Sequence, residues 1–130
     1  MSNTKLTGSA PFLMVKDINR ALDYYCDVLG FSRPHLWEEA PHFAMPARDG
    51  FLVMLHEVDG DQAIRHNHTQ GGSWDAYFWV NDADALFSEF KGKGAVVDYE
   101  PCVQSYGIKE FAVKDSEGHT LAFGQHWPEP

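Results

Sequence analysis

The sequence predicts an α+β domain built from two βαβββ modules in tandem, and three observations carry the prediction. The stretch "MVKDINRALDYY" returns half a chain later as "WVNDADALFSEF". Each copy is followed by a glycine stop and then by three β-rich runs. In both halves an acidic-glycine turn separates the last two of those runs. A strand, an acidic cap and an apolar stripe can each recur by chance. A matched tail of three strands with the turn in the same place makes duplication the better account.

Module one spans residues 8–57. "APFLMV" is a short β-rich run, and Asp17 follows it as a helix N-cap whose carboxylate can accept the unpaired N–H groups of the first turn. Behind the cap, Ile18, Ala21, Leu22, Tyr25 and Leu29 fall on one helical stripe, and Gly30 ends it. "FSRPHLWEE", "HFAMPA", a turn at Asp49-Gly50 and "FLVMLHE" complete the module. Residues 58–74, "VDGDQAIRHNHTQGGSW", are polar, glycine-containing and too long for an ordinary connection, which makes them a joint. Module two spans 75–126 with the same grammar. "AYFWV" is its strand, Asp82 its cap, Ala83, Leu86, Phe87 and Phe90 its stripe, and Gly92 and Gly94 its stop. "AVVDYEPC", "EFAVK", the turn "DSEG" and "HTLAFGQ" follow. Pro34 and Pro101 both fall in the strand after the helix; proline cannot donate to a ladder, so that strand is expected at an edge or irregular.

Composition bounds the function. A chain of 130 residues is one domain's worth, and 44% apolar residues with 14% aromatics suffice for a core. Ten Lys plus Arg against 19 Asp plus Glu give a formal charge of −9, which speaks against nucleic acid or an anionic membrane as partner and suits a cationic or neutral ligand. No apolar run approaches a bilayer span. Cys26 and Cys102 sit in no metal or CxxC spacing, and the polar start "MSNTK" lacks the apolar core of a signal peptide, so the expectation is a cytoplasmic protein with free thiols. There is no GxSxG, no P-loop and no GxGxxG between a strand and a helix. Cys26 falls beside core positions of the first helix, where burial is a better account than nucleophilicity, and nothing marks Cys102 as activated.

"FLMVKDINRALDYYCDVLGF" together with "YGIKEFAVKDSEGHTLAFGQ" resembles the vicinal oxygen chelate superfamily, which groups glyoxalase I, bleomycin and fosfomycin resistance proteins and extradiol dioxygenases. The resemblance covers nearly the whole chain and is specific for fold; one scaffold hosts unrelated chemistries. It implies mixed sheets curled around a concave pocket with helices outside, and a homodimer whose pockets are completed by both modules or both chains. In the superfamily's metalloenzymes the ligands come from the first and fourth strands of each module. Those positions here are Ala10, Met54, Asp75 and Ala122, and one of the four can bind a metal. Zinc and its relatives take three or four protein ligands, and magnesium or manganese normally more than one carboxylate.

A relocated site remains open. His56 lies two residues past Met54, on the same strand face, and Asp75 is expected to face the same hollow, so these two could make half a metal site, with Glu57 or Glu100 as further candidates. "HNH" at His66 and His68 alternates like a ligand pair, but it lies in the joint with no third partner nearby in sequence, and a solvated loop is the better account. His35, His42, His119 and His126 form no local motif. Strand alternation then predicts the pocket lining: Phe12 and Met14, Leu52, Met54 and His56, Asp75, Tyr77 and Trp79, Thr120 and Ala122, with Trp37 as a further candidate. Such a wall would bury apolar area and fix orientation with few polar groups, and aromatic faces beside a carboxylate favour a cation. The alternative for these residues is a closed core.

The expected function is therefore binding of a small aromatic or cationic molecule, of the bleomycin-resistance type, without a cofactor. Two alternatives stand beside it: a metal-dependent lyase, isomerase or dioxygenase using a divalent ion at a relocated site, and a regulatory or structural module with no ligand.

Overall fold

The structure, a computed structural model, describes residues 3–34, 36, 41–60 and 63–128. In the first half, β1 (Phe12–Val15) leads into α1 (Ile18–Asp23), which runs on into a π-helical turn over Tyr24–Val28. Four short strands follow: β2 (Phe43–Ala44), β3 (Ala47–Arg48), β4 (Phe51–Leu52) and β5 (Met54–Glu57). In the second half come β6 (Ala76–Trp79), α2 (Ala83–Gly92), β7 (Val96–Val103), β8 (Ile108–Lys114) and β9 (Thr120–His126). The joint carries a single 3-10 turn, Asn67–Gln70, among its described residues.

Both helices begin as their sequences predict. Asp17 accepts from the Arg20 N–H at 3.1 Å and Asp82 from the Ala85 N–H at 3.0 Å. A second cap reaches each helix from the last strand of its own half. The Ile18 N–H donates to Glu57 Oε2 and the Ala83 N–H to Gln125 Oε1, both at 2.9 Å. Two of the donors orphaned at each helix start are thereby satisfied, one locally and one across the fold. The stripe Ile18, Ala21, Leu22, Tyr25 and Leu29 is buried throughout; in α2, Ala83 and Phe90 are buried while Leu86 and Phe87 are partly so. Cys26, expected inside, is only half-buried, because it lies off that stripe.

Sheet order repeats as well. β1 pairs parallel with β5, and β6 pairs parallel with β9. The second sheet has the order β6-β9-β8-β7 and the first β1-β5-β2, with β3 and β4 as a separate two-stranded pair. β7 lies at the sheet edge, and its register with β8 shifts on either side of Tyr99, as Pro101 leads one to expect. The first half is less regular than its sequence predicts. "HFAMPA" divides into β2 and β3 around Met45-Pro46, since Pro46 has no N–H to continue the ladder. "FLVMLHE" divides beside it, with the Val53 N–H turned to the Pro46 carbonyl at 3.1 Å. Of the strand expected over "FSRPHLWEE", a single bridge from Ser32 to Ala47 is formed, and residues 35 and 37–40 lie outside the described residues.

One hydrophobic cluster takes in the inward faces of both halves, from Leu13, Val15, Val53 and Leu55 to Phe111, Val113, Leu121 and Phe123, with both helix stripes between. Polar ties cross the same boundary. The Tyr25 hydroxyl donates to Asp115 Oδ2 at 2.7 Å, and the Tyr24 hydroxyl donates to the Lys114 carbonyl at 2.6 Å while accepting from the Val96 N–H. Arg48 donates to Glu89 from both terminal nitrogens, at 2.6 and 3.1 Å, and to the Leu29 carbonyl at 2.8 Å. Among the described residues no helix is long and apolar enough to cross a membrane.

Candidate functional site

With one face of each sheet committed to the core, strand alternation turns the other residues of the same strands outward. On the second sheet that open face carries Tyr77 and Trp79 from β6, Thr120, Ala122 and Gly124 from β9, Glu110 and Ala112 from β8, and Tyr99 from β7, in register across the strands. Glu110 is the charged residue at its centre and is only 2% exposed. Its carboxylate is surrounded by phenols. Tyr77 and Tyr106 donate to Oε1 at 2.9 and 2.7 Å, and Tyr99 donates to Oε2 at 2.6 Å. The indole N–H of Trp74 in turn donates to the Tyr99 oxygen at 2.9 Å, which fixes the direction of that chain. Burial, reinforced by the hydrogen bond to Glu110, pushes the Tyr77 and Tyr99 phenols far above their ordinary value and Tyr106 up to about 12. At neutral pH the phenols therefore keep their protons.

Gly124 is what allows it. Tyr77 pairs with Ala122, so its ring must cross the next row to reach Glu110, which pairs with Gly124. A Cβ on Gly124 would sit 2.0 Å from the Tyr77 hydroxyl and 2.8 Å from Ile108 Cγ2. Trp74, Tyr77 and Trp79 stand as a continuous aromatic row, with ring centroids 4.7 and 5.1 Å apart. Together with Tyr99, Tyr106, Asp98, Cys102 and residues of the joint, Trp74 and Glu110 enclose a cup of about 490 Å³. A second hollow of about 390 Å³ lies where Phe51 and Arg48 of the first half meet Trp79, Phe90 and Asp82 of the second.

The sequence-predicted lining falls into two groups. On the first sheet Phe12 packs on Phe43 and His56, with centroids 6.5 and 5.6 Å away, and Met14 is the register partner of His56. Phe12, Met14 and Leu52 are exposed, Met54 and His56 half-buried. On the second sheet Tyr77 and Trp79 line the open face, and Trp79, 60% exposed, stacks on His126 at 4.7 Å. Thr120 and Ala122 lie on that face but are buried. Trp37 lies outside the described residues.

Asp75 has a different setting from the one its position suggests. Its side chain is 6% exposed, and its oxygens accept from the Asn67 N–H at 2.9 Å and the Thr120 N–H at 2.8 Å, tying the joint to β9. His119 lies alongside, its Nε2–H donating to the Met14 carbonyl at 2.7 Å and its Nδ1 buried without a hydrogen-bond partner, 3.8 Å from Asp75. His66, expected in a solvated loop, is instead half-buried, meets the ring of His119 edge-on at 4.9 Å, and bonds the Glu117 carbonyl through Nε2 at 2.7 Å; His68 stacks on it from outside.

The residues present do not fit the superfamily's metal. Ala10, Met54 and Ala122 bring no oxygen or nitrogen donor to the four positions, and Asp75 already serves two backbone donors. Among the described residues no three of His, Cys, Asp and Glu gather in a way that could hold an ion. The residues that sequence reasoning missed are Glu110, Tyr99, Tyr106 and Trp74. A signal existed: Glu110 stands between Ile108 and Ala112 on one face of the strand "IKEFAV", opposite Phe111 and Val113.

A family model described as the Glyoxalase/Bleomycin resistance protein/Dioxygenase superfamily matches residues 9–123. No curated protein matches the chain. Among solved structures, TioX from Micromonospora sp. ML1 is 22% identical, with 92% of this chain and 98% of that one covered at a TM-score of 0.73. A glyoxalase-related enzyme from Clostridium phytofermentans is 14% identical, with 97% and 99% covered at 0.74. The bleomycin-binding protein of bleomycin-producing Streptomyces verticillus, solved with copper(II)-bleomycin, is 24% identical, with 92% and 96% covered at 0.69. At these identities the likeness is one of fold. The family match extends from just before β1 into β9 and so embraces both capped helices and both sheets, and by it the chain belongs to the Glyoxalase/Bleomycin resistance protein/Dioxygenase superfamily.

Proposed function

We propose that the protein binds a small aromatic or cationic molecule against the open aromatic face of the second sheet, with no metal in the site, and acts as a cytoplasmic homodimer. The observation that carries this reading is the cup of about 490 Å³ walled by Trp74, Tyr99 and Tyr106 over the Glu110 carboxylate. A concave hollow in which aromatic walls meet convergent polar groups, here Glu110, Asp98 and Gln104, suits a small molecule that is itself aromatic and polar or charged. The donor set at the four metal positions argues against the metalloenzyme alternative. The raised phenols argue against proton transfer at neutral pH, since a general acid or base works best with a pKa near that of the medium. The copper(II)-bleomycin held by the Streptomyces verticillus protein, on the same fold, supports sequestration as a use for such a face. The free thiols fit a reducing compartment.

A titration with proflavine, a planar aromatic cation, tests the reading. Saturable quenching of tryptophan fluorescence and a rise in melting temperature with ligand concentration are expected, because a ligand that binds only the folded state stabilises it by mass action. Absence of both overturns the proposal. A stoichiometric divalent ion in protein purified without chelator, lost on His56→Ala or Asp75→Ala, replaces it with the metal-dependent alternative.

A further inference from the structure

The small-molecule reading leaves the ligand's chemical class open, and the Glu110 cluster narrows it. A carboxylate removed from water is costly unless it is matched by opposite charge. Three phenols satisfy much of the hydrogen bonding of Glu110 but carry no charge, and among the described residues none of the ion pairs formed involves it. A carboxylate offers about four acceptor positions. With three taken, little of Glu110 itself is left for a ligand. The phenol oxygens are another matter. The Tyr99 oxygen already accepts from Trp74, while Tyr77 and Tyr106 only donate, both to the same atom, Glu110 Oε1. Of these two, Tyr106 lines the cup, and its oxygen is polarised by giving its proton to an anion. Asp98 adds a second carboxylate among the residues that line the cup.

We infer that this cluster is the anchor of the site and selects an aromatic ligand bearing a protonated group with more than one N–H donor, such as an aryl amidine or guanidine. The flat ring lies against Trp74; its N–H groups donate to the Tyr106 oxygen and to the Asp98 carboxylate, both on the wall of the cup; and the buried charge of Glu110 is balanced through Tyr106.

Benzamidine and benzamide test this, being nearly the same shape with and without the charge and the second pair of donors. Isothermal titration at millimolar ligand is expected to give benzamidine at least a tenfold lower Kd. Glu110→Gln, checked by its melting curve, is expected to abolish the preference. Tyr106→Phe, at a side chain 56% exposed and checked by its melting curve in the same way, is expected to weaken benzamidine about fivefold or more while leaving benzamide unchanged. Equal binding of the two compounds, or a preference that Tyr106→Phe does not diminish, overturns the inference and leaves the proflavine result, and with it the broader reading, standing. Failure of both compounds to bind overturns the inference too, and if proflavine also fails the broader reading falls with it.

Discussion

Gly124 shows how much of the site rests on a single missing side chain. Its backbone is ordinary strand, so its value lies in the space above it, through which the Tyr77 ring passes to Glu110. Gly124→Ala puts a methyl 2.0 Å from the Tyr77 hydroxyl, and the ring must swing away. Overpacking of this kind costs about 1–3 kcal/mol. The prediction is a loss of that order in urea unfolding, together with a downward shift of the Tyr77 phenol in an ultraviolet pH titration as its bond to Glu110 is lost. Here the sequence was partly legible. Alternation placed Tyr77 and Trp79 on the open face, because period-2 patterning depends only on local geometry. It could not show that Asp75 is taken up by the Asn67 and Thr120 N–H groups, nor that three tyrosines from separate strands and a turn meet at Glu110, since both facts depend on contacts far apart in sequence.

The helices were the most legible elements, each announced by an acidic cap, an apolar stripe and a glycine stop. Their second cap was hidden. Glu57 and Gln125 occupy the same place in their halves, each at the end of the strand that pairs with the module's first, and each reaches the first N–H of its helix. The two caps of α2 are predicted to differ in worth. Asp82 serves an exposed N–H that water can reach, so Asp82→Ala should cost about 1 kcal/mol. Gln125 serves the buried Ala83 N–H, and Gln125→Ala strands it, at about 1–3 kcal/mol. Urea curves of equal slope, with the larger loss for Gln125→Ala, would bear this out; the reverse order would mean that water enters behind β9. The β-runs of the first half were least legible, because one residue, Pro46, removes an N–H and breaks two neighbouring strands at once. A tie between β3 and α2 offers a test in pH. Arg48 beside Glu89 holds that carboxyl below the ordinary glutamate value. The pair's contribution is therefore complete above the ordinary value and is lost as pH falls through the lowered one. Melting temperature between pH 5 and 3 should fall less steeply in Glu89→Gln than in the parent protein.

At the scale of the whole molecule, the single core leaves several large apolar side chains of the other sheet faces in solvent. Phe12 is 57% exposed, Phe51 66% and Trp79 60%. Exposed apolar surface of this size on a small protein is a candidate for association. A homodimer would cover it, and would do so against its own charge: each chain carries a formal −9, so two copies repel at long range. Association driven by apolar burial and opposed by like charge has a definite salt dependence. The Debye length shrinks from about 30 Å at 0.01 M to about 3 Å at 1 M, removing the repulsion while leaving the apolar contact in place. Light scattering across a dilution series should thus give twice the 14.7 kDa of the chain, with a dimer Kd that falls as sodium chloride rises from 0.01 to 0.5 M. Phe12→Asp or Trp79→Asp, each adding charge where apolar area is to be buried, should raise that Kd at every salt concentration. A Kd that instead rises with salt would mean that ion pairs, rather than these aromatic side chains, hold the copies together.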